Sequence, residues 1–109
     1  MSRDLPELTG LVAEVSEIYA ARNDIARDAD WSVLKLAEEL GELTAEYLRL
    51  TGRGRRKGAD TEAIKEAMAD EAADVLATLL LFARENSIDL EAALQRKWFK
   101  YLPVAGPTG

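Results

Sequence analysis

The chain has 109 residues, a length that fits one domain and is short for two. It is 48% hydrophobic and 31% charged with a net charge of −6, which is typical of a folded domain and disfavours general binding to nucleic-acid phosphates. Because it contains no cysteine and no histidine, we exclude disulfides, thiolate or histidine zinc sites, Ser-His or Cys-His nucleophile systems and the Glu-x-x-His di-iron pattern.

No segment has the features of a membrane span or a signal peptide. The longest apolar run, Val75 to Ala83, is far too short to cross a bilayer. The first ten residues lack the basic-then-apolar order of a signal peptide. Together with the absence of cysteine, these features predict a cytoplasmic protein with no membrane partner, for which nucleic acid is an unlikely partner too.

The first predicted helix runs from about Leu5 to Arg22. Asp4 and Glu7 resemble a capping box, and Pro6 suits the first turn. Its apolar stripe consists of Leu8, Leu11, Val12, Val15, Ile18 and Tyr19. Residues 23–30 are polar, and we expect a loop or a frayed continuation of the helix.

The second predicted helix begins near Trp31, with Asp30 as its N-cap, and ends before Gly52. Its apolar positions alternate three and four residues apart: Val33, Leu36, Leu40, Leu43, Tyr47 and Leu50. This spacing predicts a bundle helix that packs on a neighbour.

A basic connector, GRGRRKGA, occupies residues 52–59. Its glycines favour a flexible loop over a helix. Its basic residues are Arg53, Arg55, Arg56 and Lys57. They could form a mobile lid over a triphosphate or an RNA-binding patch. A solvated loop is the simplest interpretation, and the spacing of its glycines is not that of a P-loop.

The third predicted helix runs from about Thr61 to Asn86, with Asp60 as its cap, and is apolar nearly all round at residues 75–83. So apolar a helix in so small a domain indicates oligomerisation. A short fourth helix runs from about Leu90 to Tyr101, capped by Asp89 or Ser87, and residues 103–109 form a loose tail. We therefore predict an all-α, four-helix bundle-type single domain spanning residues 1–109.

Four acidic residues stand where packing faces are expected. Glu39 and Glu42 share one flank of the second helix's apolar stripe, while Glu71 falls inside the third helix's stripe with Asp74 beside it. Unpaired carboxylates on a packed face are costly, and facing pairs repel. A spacing of three residues brings each pair to about 5–6 Å at Cβ, close enough to hold divalent cations that remove both costs. Oxygen ligands favour Mg²⁺ or Mn²⁺.

The alternative interpretations are ordinary ones. Glu-Glu-x-x-Glu is common on the surfaces of helices, Glu-x-x-Asp alone is equally uninformative, and Glu71 could pair with an arginine of a neighbouring helix. Both acid pairs together, on adjacent helices of a chain without histidine or cysteine, are much more specific.

LKLAEELGEL (residues 34–43), followed by DEAADVLATLLLFARENSIDLEAALQRKWFKY (residues 70–101), resembles the MazG-like nucleotide pyrophosphohydrolases, whose pattern is EExxE, a spacer and ExxD. The resemblance covers about two-thirds of the chain. It implies a MazG-like fold assembled as a dimer or tetramer, with a site completed by a neighbouring subunit. It also implies Mg²⁺-dependent cleavage of a nucleoside triphosphate between its α and β phosphates, giving the monophosphate and pyrophosphate for house-cleaning of the nucleotide pool.

The resemblance also assigns roles to residues. It makes the same four acids the metal ligands and gives Glu38 the task of orienting or deprotonating the attacking water. Lys97 and Lys100 match lysines that meet the phosphates in dCTP pyrophosphatase-like members, whereas Tyr101 stands where those members have Asn.

Three further residues are candidates for substrate binding. Lys35 either binds phosphate or pairs with Glu39 one turn later. Trp31 could stack on a base, and Thr78 could line a base pocket, while packing is the ordinary role of a bundle tryptophan.

Two rival functions remain open. Phosphoribosyl-ATP pyrophosphohydrolase of histidine biosynthesis shares the fold and the acid pattern, but the long basic connector and the KWFKY ending favour the MazG-like assignment. A non-catalytic helical interaction module would tolerate Glu71→Gln or Asp74→Asn with little loss.

Overall fold

The computed structural model describes residues 2–103, which form helices and turns without strands. In chain order the elements are α1 (Leu5–Arg22), α2 (Trp31–Leu50), α3 (Thr61–Glu85), α4 (Leu90–Lys97) and a 3₁₀ turn (Phe99–Tyr101). The predicted all-α class with four helices is confirmed for this part of the chain. Residues 104–109, most of the predicted tail, lie outside the described residues. No helix between residues 2 and 103 is long and apolar enough to cross a membrane.

Aspartate side chains cap three of the four helices as predicted. The carboxylates of Asp4, Asp60 and Asp89 accept the backbone N–H groups three residues ahead, at 2.9, 2.8 and 3.0 Å. Asp30 occupies the N-cap position of α2 as predicted, but its backbone is already helical (φ −91°, ψ −12°) and its side chain makes no cap bond. An N-cap side chain reaches back only from an extended backbone. Asp28 accepts the Asp30 N–H instead, at 3.0 Å.

Helices α2 and α3 run antiparallel and form the most extensive contact in the described chain. At one end Ser32, which is fully buried, donates a hydrogen bond of 2.7 Å to Glu85, the last residue of α3. Toward the other end Ile64 is completely buried. The pairing fixes which residues of the two helices face each other, and it places the middle of α2 opposite the middle of α3.

Helix α1 packs on α3, and its predicted apolar stripe is not its most buried part. Ala13 and Ala20 are its buried residues. Four members of the stripe stay exposed in the single chain, namely Leu11, Val15, Ile18 and Tyr19. Alanines let two helices approach closely, so the large residues on the adjoining face are left to line a cleft and the surface. On α2, Val33, Leu40 and Tyr47 are exposed as well.

The basic connector between α2 and α3 is tied to the end of α2. Arg49 donates to the backbone carbonyls of Arg55 and Arg56, at 3.0 Å each, and its guanidinium is paired with Glu46 at 2.8 Å. Arg56 donates back to the carbonyl of Leu50 at 3.2 Å. The connector is therefore a largely exposed loop, as predicted, with hydrogen bonds to the end of α2 that the sequence pattern does not indicate.

Helix α4 ends earlier than predicted, at Lys97, and the chain continues as the 3₁₀ turn. Together, α4 and this turn make few contacts with the other three helices. The consequence is an exposed apolar cluster at the end of the described chain, which we call the C-terminal apolar cluster and which consists of Leu94, Trp98, Phe99, Tyr101 and Leu102.

Candidate metal centre

The acids of α2 differ in exposure because successive residues of a helix point about 100° apart. The Glu39 side chain turns toward α3 and is only 8% exposed, whereas that of Glu38 is 57% exposed. Glu39 and Ser32 are the buried residues of α2, so the part of this helix that lies deepest is polar. A buried glutamate at the seam of two helices needs a partner.

Carboxylate oxygens converge on Glu39 from both helices. One oxygen each from Glu39, Glu71 and Asp74 lie within 4.8 Å of one another, and one each from Glu38, Glu39 and Glu42 do the same. The two groups of three share Glu39, so the five acids form a continuous acid cluster. The antiparallel pairing of α2 with α3 brings all four predicted metal ligands together, with Glu38 at the edge.

Two oxygens of the acid cluster are buried without a hydrogen-bond partner among the described residues. They are Oε2 of Glu39 and Oε2 of Glu71. A buried acceptor without a partner costs about 1–3 kcal/mol, and more when it is charged. Neither residue pairs with an arginine in residues 2–103. Carboxylate oxygens are the ligands that hard divalent cations prefer, so the unpartnered oxygens could bind one.

Two acids of the cluster, Glu42 and Asp74, have raised pKa values. The pKa of Glu42 is raised to about 7, first by the charge of Glu39 and then by a hydrogen bond with Glu71 that needs a proton. Partial burial raises the pKa of Asp74, and the charge of Glu39 raises it further. Glu42 and Asp74 therefore keep protons to higher pH than they would in an ordinary environment, and a bound cation would replace those protons.

Lys35 pairs with the cluster from one turn away. Its Nζ lies 3.3 Å from Oε1 of Glu38 and 3.3 Å from Oε1 of Glu39. Burial by itself lowers the pKa of Lys35, but its hydrogen bonds to Glu39 and Glu38 outweigh burial and raise the pKa. The predicted pairing of Lys35 with Glu39 is confirmed, and it leaves a role in binding phosphate open.

A cleft of about 640 Å³ opens directly beside the acid cluster. Glu39, Asp74 and Lys35 form its charged end. Its other walls come from α1, the following loop, and the apolar parts of α2 and α3: Leu11, Val12, Val15, Ser16, Tyr19, Ile25, Trp31, Ala77, Thr78 and Leu81. The volume lies in the range of small-molecule sites, and the arrangement joins a charged end to an apolar, aromatic one.

Trp31 and Thr78, both predicted to contact substrate, line this cleft. The guanidinium of Arg27 lies 5.8 Å from the centre of the Trp31 ring, and Arg27 is itself bonded to Ser16 and Glu17 of α1. The indole is thereby held between the loop and the cleft. The Thr78 hydroxyl donates to the backbone carbonyl of Asp74 at 2.7 Å, so it offers a ligand only its acceptor lone pairs.

Lys97 and Lys100 are not brought to the acid cluster by the single chain. Both are exposed, at the end of α4 and in the 3₁₀ turn, and neither is among the residues that line the cleft. The ammonium of Lys100 lies 5.1 Å from the ring of its neighbour Tyr101. The basic connector does not line the cleft either. The phosphate-binding role of these two lysines stays a prediction.

The contribution of α1 to the cleft was missed by the sequence reasoning. Tyr19, Val15 and Leu11 read as a packing stripe, and their periodicity gave no reason to place them beside a charged site. Arg27, in a loop without a pattern, was missed as well. The one available signal was the length of the apolar stripe on α1. A long apolar stripe in a small domain can mark a binding surface as well as a packing face.

Comparisons of the chain with protein-family models, with curated proteins and with solved structures found no match. The case for a function therefore depends on the acid cluster and the cleft.

Proposed function

We propose that this protein is a Mg²⁺-dependent nucleoside triphosphate pyrophosphohydrolase of the MazG-like kind, cleaving between the α and β phosphates to give a nucleoside monophosphate and pyrophosphate. The observation that carries the proposal is the convergence of Glu39 and Glu71, each with a buried, unpartnered oxygen, with the exposed Asp74, beside a cleft of small-molecule size. We place its activity in the cytoplasm, on the nucleotide pool.

In this proposal Glu39, Glu42, Glu71 and Asp74 hold Mg²⁺, or Mn²⁺ in its place. When bound, the metal would lower the pKa of a coordinated water and neutralise charge on the leaving pyrophosphate. Glu38 stands at the solvent edge of the cluster. Its carboxylate, which Lys35 contacts at 3.3 Å, would orient an incoming water and accept its proton.

The two ends of the cleft suit different parts of a nucleotide, so the cleft would bind the substrate in one orientation. A triphosphate would lie at the end formed by the acid cluster and Lys35, and its nucleoside would extend toward Trp31, Tyr19 and Thr78. Aromatic side chains bind the faces of planar bases. Phosphoryl transfer depends mainly on positioning and charge neutralisation, so this division of the cleft matches what the reaction needs.

A homo-oligomer, either a dimer or a tetramer, completes the proposal. The chain has an accessible area of 8483 Å², whereas a compact monomer of its mass of 12.0 kDa would expose about 6,000 Å². The C-terminal apolar cluster accounts for part of this excess. Contact of that cluster with a neighbouring subunit would carry Lys97 and Lys100 toward the neighbour's cleft.

The test is a pair of isosteric substitutions, Glu71→Gln and Asp74→Asn, each compared with Glu66→Gln, an exposed residue of α3 outside the cluster. We expect the rate of Mg²⁺-dependent pyrophosphate release to fall at least about 100-fold in each cluster variant. We expect Glu66→Gln to keep its activity and all three proteins to keep their helicity by circular dichroism. A panel of dNTPs and oxidised or methylated nucleotides, with phosphoribosyl-ATP as the competing substrate, would separate the two pyrophosphohydrolase assignments.

A non-catalytic interaction module is the second candidate, and the exposed apolar surface of α1, α2 and the C-terminal apolar cluster favours it. It predicts no pyrophosphate release from any nucleotide. It also predicts that Glu71→Gln and Asp74→Asn leave partner binding intact, because those acids would have no role beyond packing. The same variants therefore decide between the two functions.

A further inference from the structure

Lys35 is the one basic side chain among the described residues that line the cleft. Its ammonium contacts Glu38 and Glu39, at 3.3 Å each. Glu39 is the acid that both groups of three share, so Lys35 touches the cluster at its central member. A single cation with three donors thus partly balances a site where carboxylates crowd together.

In this position the Lys35 ammonium would also repel a divalent cation most strongly. An ion held by Glu39 would lie within roughly 4–6 Å of an ammonium that contacts the same carboxylate, and like charges at that separation repel. The Lys35 side chain is 36% exposed and has four rotatable bonds, so it can leave Glu39 without moving the helix. The open space beside it is the cleft, whose charged end it already lines.

We propose that Lys35 is the counter-cation of the metal-free acid cluster, and that metal binding displaces its ammonium into the cleft, where it binds the phosphates of the substrate. The inference rests on the proposed function. It gives Lys35 two opposed effects: it weakens metal binding in the absence of substrate, and it strengthens the binding of a triphosphate once the metal is present.

The experiment removes the charge of Lys35 while nearly keeping the length of its side chain. Lys35→Met is compared with Lys35→Arg, which keeps the charge, and with Lys65→Met, which removes an exposed lysine of α3 that pairs with Glu62 at 3.9 Å. Mn²⁺ binding without nucleotide is measured by calorimetry. We expect Lys35→Met to bind Mn²⁺ about three- to tenfold more tightly than the unaltered protein, since one repelling charge is gone. Lys35→Arg and Lys65→Met should change the Kd for Mn²⁺ less than twofold.

The second measurement uses a non-hydrolysable α,β-imido dNTP at saturating Mn²⁺. We expect Lys35→Met to bind it about tenfold more weakly, and Lys35→Arg to restore most of that loss. Unchanged or weaker Mn²⁺ binding by Lys35→Met would overturn the inference, and so would unchanged binding of the analogue. If the unaltered protein binds no Mn²⁺ at all, the proposed function fails together with the inference. If it binds Mn²⁺ but Lys35→Met does not behave as expected, only the inference fails.

Discussion

At the scale of single residues, the position of Glu39 governs the site. It turns toward α3 while Glu38 turns to solvent, and its charge is the largest cause of the raised pKa of Glu42. The acids could be predicted from the sequence because a spacing of three and a packing face are both local properties of a helix. The cation–π contact of Arg27 with Trp31 could not, because it joins a loop without periodicity to a helix start.

The raised pKa values give the metal-free protein a distinctive pH dependence. Because the folded-state pKa of Glu42 is raised from near 4.5 to about 7, the folded state keeps a proton that the unfolded chain has already released. The raised pKa of Asp74 acts in the same direction. Stability is therefore highest below about pH 4.5 as far as these groups are concerned, and it is lost as the pH rises through about 7.

We expect the Tm of the metal-free protein to fall by several degrees between pH 5 and pH 7.5, measured by circular dichroism with a chelator present. Saturating Mg²⁺ should remove most of this fall, since cations replace the protons that the cluster loses. Glu42→Gln should also flatten the profile, whereas Glu66→Gln should not. A Tm that rises with pH in the chelated protein would contradict the electrostatic account of the cluster.

At the scale of elements, caps and connectors decide what could be read from the sequence. Asp4, Asp60 and Asp89 were predicted as caps from local pattern alone, and each makes its bond. The connector was correctly predicted as a loop, but its hydrogen bonds to Arg49 were not predicted, because Arg49 lies in the preceding helix and its contacts with residues 55 and 56 leave no local pattern. Ser32 and Glu85 were missed for the same reason, since 53 residues separate them.

The contacts of Arg49 predict that Arg49→Met loosens the connector. Losing both donors to the backbone of residues 55 and 56 removes at least about 1 kcal/mol of local stability. We expect trypsin to cleave the connector about fivefold faster in this variant, as followed by mass spectrometry of the fragments. Arg3→Met, at an exposed position before α1, serves as the control. Equal cleavage rates in the variant and the unaltered protein would show that the hydrogen bonds of Arg49 do not hold the loop.

At the scale of the whole molecule, the small core and the large exposed apolar surface belong together. Six apolar residues are buried in the described chain, while Trp98, Tyr101 and Leu102 are among the large apolar side chains left in solvent. The radius of gyration is 17.3 Å, against about 13 Å for a compact domain of this length. A chain with these proportions would bury more apolar surface by association, as the proposed oligomer requires.

We therefore expect light scattering after size exclusion to give a mass twice or four times the 12.0 kDa of one chain. Trp98→Glu should shift the protein toward lower mass, because it places a charge in the C-terminal apolar cluster. Lys65→Glu, on the exposed surface of α3, should not. A monomeric mass for the unaltered protein at micromolar concentration would contradict the proposed oligomer.

The central claim is that Glu39 and Glu71, whose Oε2 atoms are buried without a partner at the seam of α2 and α3, are tolerated there because a divalent cation binds between the acids. Anomalous diffraction from a crystal grown with Mn²⁺ tests it most directly. The account predicts a peak at bonding distance from carboxylate oxygens of Glu39 and at least one of Glu71 and Asp74. A map without a peak there, with these side chains turned into solvent or bound to arginines, would contradict it.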